Sequence, residues 1–241
     1  MTFPSGYLFR WQPKRWAQLV CALRGVMTVQ TPAGLWVIPP QQAMWVPPGN
    51  ALRVEMGGEV SMRTLYLSPS VTAGLPSACR VVQVSPLLRE LLLAAIRLQT
   101  LDRRKPVERH LLEVIRDQIA VLPLAPLDLP APRDKRGLRA AQLVRGSPER
   151  RLRLADVTRE AGASPRTLER LFKAETGLSF GAWCQRARLL HALQLLAAGG
   201  SVTATSLAVG YESLSAFVAA FRRAFGTTPG RYFTAERSQP H

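Results

Sequence analysis

The chain has 241 residues with 32 Lys and Arg against 16 Asp and Glu, a formal charge of +16. That length accommodates two modest domains with separate cores, and the charge points to a polyanionic partner, either nucleic acid or an anionic membrane surface. Cys21, Cys79 and Cys184 lie far apart with no Cys-x-x-Cys pair, which argues against a disulfide framework and a structural zinc site.

Taken in chain order, Phe3 to Trp16 mixes Arg, Lys and Pro, so no secretory signal is expected there. Residues 17–67 read as β structure. Gln18–Val29 is an apolar strand pair broken near Gly25, followed by a turn at Thr31–Gly34. Leu35–Ile38, Ala43–Val46, Leu52–Met56 and Ser61–Leu67 are short runs separated by Pro39-Pro40, Pro47–Asn50 and Gly57-Gly58. Short strands punctuated by Pro and Gly predict a small barrel or sandwich.

Ser85-Pro86 opens a helix, Ser as N-cap and Pro in the first turn, running to about Leu101 with Leu88, Leu91, Leu92, Ala95 and Leu98 on one side. A second helix, roughly 107–122, carries Leu111, Leu112, Ile115 and Ile119. This hairpin either covers the barrel or pairs two protomers, Leu93 and Leu101 enlarging its apolar surface. Arg89, Glu90 and Arg97 interrupt the most apolar stretch, so no simple membrane span is expected and a cytoplasmic, nucleoid-associated location is the default. Pro123–Pro132 holds four prolines and reads as a semi-rigid linker. The expected division is a sensing and dimerisation domain at 1–122, a linker at 123–132 and a DNA-binding domain at 133–241.

The last part of the chain repeats itself. Leu168, Leu171 and Phe172 recur 49 residues later as Phe217, Ala220 and Phe221, Gly177 recurs as Gly226, and Ser179 as Thr228. Gly162 recurs as Gly210 at a shift of 48. A small-residue turn between two short amphipathic helices is the helix-turn-helix pattern. Residues 133–241 also hold 18 Lys and Arg against 8 Asp and Glu, so the cationic excess is larger there than in the first half. An Arg-rich surface alone explains the charge but not the repeat.

A first helix at Lys135–Arg145, closed by Gly146-Ser147-Pro148, precedes the first unit. In that unit Leu154–Ala161 is the positioning helix, Ser164 caps the next helix and Pro165 takes its first position. Leu168, Leu171 and Phe172 face inward, which leaves Arg166, Thr167, Glu169, Arg170 and Lys173 outward, side chains suited to base edges and phosphates. Ser179–Ala198 is a connector of roughly 30 Å, close to one duplex turn, so two reading helices can enter successive major grooves. In the second unit Val202–Val209 positions, Gly210–Glu212 turns and Ser213 caps. Its outward residues are Leu214, Ser215, Ala216, Ala219, Arg222 and Arg223, a face expected to grip phosphates through Ser213, Arg222, Arg223 and Arg231 and to specify sequence weakly.

The stretch Ala163–Gly177, with Gly210–Ser213, Ala216-Phe217, Phe221-Arg222 and Gly226–Tyr232, resembles the AraC/XylS family of bacterial transcriptional regulators. Gln18-Leu19, Gly25–Met27, Pro39-Pro40 and Trp45–Pro47 are similar to the cupin-type sensor domain of one branch. The resemblance implies an α+β chain, a cupin-like β-barrel with a helical hairpin followed by an all-α domain with two helix-turn-helix units joined by a long helix. It implies base contacts from Arg166, Glu169 and Arg170 in the first unit and from Leu214, Ser215 and Ala219 in the second. RNA polymerase is the further partner where a member activates. Thr158, Thr205 and Ser206 stand where the family tends to have small or aliphatic residues, and Leu214 where this branch often has Pro; a hydroxyl in a helix can bond back to a carbonyl one turn earlier.

A cupin enzyme needs a metal cluster, but the histidines are His110, His191 and His241, none in the β region. No metal site, cofactor or catalytic residue is expected, and Glu55 and Glu59 read as surface strand residues. Trp16, Cys21, Trp36 and Trp45 are candidates for an effector pocket, weighed against plain core filling. The expected function is a sequence-specific, ligand-responsive regulator that binds double-stranded promoter DNA, as a monomer or a homodimer. The rivals are a low-specificity architectural DNA-binding protein and a metal-dependent cupin enzyme.

Overall fold

The computed structural model of the protein describes residues 1–40, 42–123, 125, 127–146 and 152–234, the last two by backbone alone. The expected helix closure at Ser147-Pro148, His241, and parts of the expected linker lie outside these residues. Two units form: Met1–Thr31 with Ile38–Pro126, and Pro32–Val37 with Leu127–His241.

The first unit is an antiparallel sheet built on two long strands, β3 (Ala17–Thr31) and β6 (Leu52–Leu67). β1 (Thr2–Phe3) and β2 (Leu8–Trp11) pair with β6 on its far side, and β5 (Gln42–Val46) joins β3 to β7 (Arg80–Gln83). The strand pair expected to break near Gly25 is therefore one strand, and Gly57-Gly58 lies inside a strand and makes no turn. Both long strands bend together: register slips flank Arg24, and Gly25 sits at φ +73 with its Cβ position only 2.4 Å from the Glu59 carbonyl oxygen. Only glycine fits such a bulge.

Side-chain alternation decides the faces. Ala17, Leu19 and Cys21 of β3, with Ala43 and Trp45 of β5, pack into one buried cluster with Leu88, Leu92, Ala95, Ile115 and Ile119. These last come from α1 (Pro86–Leu98) and α2 (Pro106–Ala120). Ser85 Oγ accepts from the Leu88 N–H at 3.1 Å, the expected cap. Leu98, expected inward, is exposed because α1 stops there, whereas Leu101 packs against the cluster. Glu59 pairs with Arg24 at 3.0 Å on the surface.

The second unit adds a short β ribbon to the helical domain expected at 133–241. β4 (Gly34–Ile38) pairs with β8 (Asp128–Pro130), so the Pro-rich stretch expected as linker contains a strand. Two side chains of α6 (Phe180–Ala197) hold β8: Trp183 Nε1 donates to the Pro130 carbonyl at 2.8 Å, and Arg186 pairs with Asp128 at 2.9 Å. An indole N–H inside the fold needs an acceptor, and a proline carbonyl on this short strand supplies one. No helix among the described residues is long and apolar enough to cross a membrane.

Candidate nucleic-acid interface

The helices of the second unit follow the expected order: α3 (Lys135–Gly146), α4 (Leu154–Ala161), α5 (Pro165–Thr176), α6, α7 (Val202–Ala208), α8 (Leu214–Phe225) and α9 (Pro229–Thr234). Gly162 at φ +65 and Gly210 at φ +76 make the two turns in the left-handed region where glycine costs least. Ser164 Oγ accepts from the Thr167 N–H at 3.2 Å, and Ser213 Oγ from the Ala216 N–H at 3.2 Å. Leu168, Leu171 and Phe172, and likewise Phe217, Ala220 and Phe221, are buried. Phe172 meets Trp183 edge-on at 5.2 Å between ring centroids, and Phe217 meets Tyr211 similarly at 5.4 Å.

The buried triplets force the opposite faces of α5 and α8 outward, and the side chains there divide by task. Arg166 and Arg170 are exposed, and their side chains make no hydrogen bond or ion pair among the described residues. The others are engaged. Thr167 Oγ1 lies 2.9 Å from the capping Ser164 Oγ, and Lys173 Nζ donates to the Gly177 carbonyl at 3.2 Å, closing the helix end. Glu169 Oε2 accepts from the Phe180 N–H at 3.0 Å, where α6 begins. Sequence reasoning missed this capping role, although Glu169 stands 11 residues before a helix start marked by Ser179.

On α8, Ser213, Leu214, Ser215, Ala219, Arg222 and Arg223 are all exposed. Leu214, Ser215, Val218, Ala219, Arg222 and Arg223 line one open concavity of about 1000 Å³. Val218 was not expected on this face. Behind it, Arg188 of α6 lies over the Tyr211 ring at 5.7 Å, fixing the second turn to the connector. Two of the helix hydroxyls bond back to a carbonyl as expected: Thr158 to Ala155 at 3.0 Å and Ser206 to Thr203 at 2.8 Å. The Thr205 hydroxyl is buried without a partner among the described residues.

The four candidate effector residues belong to two units. Cys21 and Trp45 belong to the apolar cluster of the first unit, and Trp45 Nε1 donates to the Pro76 carbonyl at 2.7 Å. Burial pushes the Cys21 thiol up to about 12. Trp16 is 39% exposed, and Trp36 lies in β4 of the second unit. Among the described residues no group of His, Cys, Asp and Glu is arranged to hold a metal ion.

A helix-turn-helix domain family matches residues 157–235, from within α4 past α9. The HTH-type transcriptional regulator NimR of Escherichia coli K12 is 34% identical over 218 residues, covering 90% of this chain and 80% of NimR.

The chain belongs to the AraC/XylS family of bacterial transcriptional regulators. It shares with that family a DNA-binding helix-turn-helix domain and a role in transcription. Another AraC/XylS relative, RipA of Corynebacterium glutamicum, is 36% identical over 108 residues, 45% of this chain and 32% of its own length. A solved AraC-type regulator from Chromobacterium violaceum is 35% identical, covering 43% of this chain and 92% of that one with a TM-score of 0.39.

Proposed function

We propose that the protein regulates transcription by laying α5 and α8 into successive major grooves on one face of promoter DNA. The observation that carries this reading is the duplication of one structural unit. Each reading helix follows a left-handed glycine, is capped by a serine and is anchored by a buried triplet, and the 18-residue α6 joins the two units. At 1.5 Å per residue α6 is about 27 Å long, and the turns at its ends bring the span near one duplex turn. Arg166 and Arg170, exposed and with no side-chain partner among the described residues, are the specifying side chains, suited to bidentate bonds with guanine. Residues 133–234 with the β4–β8 ribbon form the DNA-binding part, and the first unit senses and dimerises.

The effector in this reading is a small molecule with a hydrogen-bond donor. On the sheet face opposite the helices, Gln18 Oε1 and Thr64 Oγ1 are buried without partners among the described residues, on adjacent strands in neighbouring register. A homodimer uses the α1–α2 hairpin, where Leu87, Leu98 and Val114 are exposed. RNA polymerase is the further partner if the protein activates, and the site of action is the nucleoid.

Selection of sites from a random duplex library by the full chain tests the reading. A bipartite motif with parts about 10 bp apart is expected. No enrichment over input would overturn it in favour of an architectural, sequence-indifferent role.

A further inference from the structure

We infer that α8 reads thymine through its 5-methyl group, Leu214, Val218 and Ala219 supplying the apolar contacts while Arg222 and Arg223 hold flanking phosphates. The repeat sets the two reading faces in direct correspondence. At a shift of 49 residues, Arg166 becomes Ser215, Glu169 becomes Val218, Arg170 becomes Ala219 and Lys173 becomes Arg222. The face that is charged in α5 is apolar over the first two turns of α8 and cationic only in its last turn.

Lack of hydrogen-bonding side chains does not make such a face indifferent to sequence. In the major groove thymine alone among the four bases carries a methyl group, and apolar side chains recognise it. The N-terminal residues of a reading helix are those that reach base edges. Leu214 occupies the first position of α8, 43% exposed, with Val218 and Ala219 one turn further along the same concavity. Ser215, the one polar side chain among them, has its hydroxyl 3.3 Å from that of the capping Ser213.

The charge pattern selects the occupant. From Ser201 to Phe221 the single charged residue is Glu212, and the cations Arg222, Arg223 and Arg231 follow. An apolar strip ending in arginines complements the apolar floor and anionic walls of a thymine-bearing major groove. It follows that the second half-site is rich in A·T pairs with thymines presented to α8, and that specificity is divided: hydrogen bonds in the first half, methyl contacts in the second.

This inference rests on the two-groove reading above, and the experiment separates the two. Sites are selected with the full chain, and the part whose preference changes in Arg170→Ala is assigned to α5. Thymines in the other part are then replaced by deoxyuridine, which removes the methyl and leaves base pairing intact. Affinity is expected to fall about fourfold for each contacted methyl, the transfer cost of one buried carbon. In Leu214→Ala, a change at an exposed position, the thymine-to-uracil penalty is expected to shrink. A bipartite motif whose second part binds equally with uracil overturns this inference alone. A motif of one part overturns the two-groove reading, and this inference with it.

Discussion

Glu169 on α5 accepts the backbone N–H of Phe180, the first residue of α6, at 3.0 Å. The carboxylate lies against the positive end of the connector helix, where the unpaired N–H groups of the first turn favour an anion. The side chain that family resemblance assigns to a base edge is therefore engaged where α5 meets the start of the connector. Glu169→Ala is expected to lower unfolding stability by about 1 kcal/mol in urea denaturation, with Glu169→Gln intermediate. If instead Glu169→Ala leaves stability untouched and changes sequence preference, the residue is a base reader.

Arg170 is exposed, and its side chain makes no hydrogen bond or ion pair among the described residues. Arg170→Ala is expected to cost about 1–3 kcal/mol on the preferred duplex and to relax the choice at one base pair. Fluorescence anisotropy on the selected site and its single-base variants measures both quantities. A uniform loss across all variants would make Arg170 a phosphate contact.

The start of α3 is expected to respond to acid. Asp134 accepts from the Arg136 side chain at 2.9 and 3.1 Å and from its N–H at 2.8 Å, which holds the carboxyl down at about 2. Its ordinary value is 3.8. Because the folded value is the lower, Asp134 adds stability above the ordinary value, and that stability is lost as pH falls from about 4 towards 2. Thermal midpoints across this range should fall less steeply in Asp134→Asn than in the parent. Parallel curves would contradict the assignment.

Thr205 is buried at 2% exposure with its hydroxyl unpartnered among the described residues, at a position where the family resemblance implies an aliphatic residue. Thr205→Val keeps the shape and removes the stranded hydroxyl. Stability is expected to rise by about 1 kcal/mol, read in urea denaturation, and affinity for DNA to be unchanged or improved. A loss of stability would show that the hydroxyl is satisfied in solution.

The helices of the second unit are legible in the sequence because their signals are local. Gly162, Ser164 and Pro165 write a turn, a cap and a first helical position within four residues, and the spacing of Leu168, Leu171 and Phe172 gives the buried side. The β region was less so. Gly57-Gly58 looks like a turn locally, but pairing with β3 along nearly all its length keeps β6 continuous, an effect of residues 30 positions away. β8 was hidden for a similar reason: Asp128–Pro130 has no strand pattern of its own and is held by β4, Trp183 and Arg186. Residue type groups Trp36 with Trp45, and nothing local indicates that the chain leaves the first unit at Pro32 and returns at Ile38.

Hydroxyl-radical footprinting of the full chain on a selected duplex tests the central claim most directly. Two protected patches about 10 bp apart on one face of the DNA are expected, one for α5 and one for α8. A single patch, or protection spread evenly around the duplex, would contradict reading by two helices.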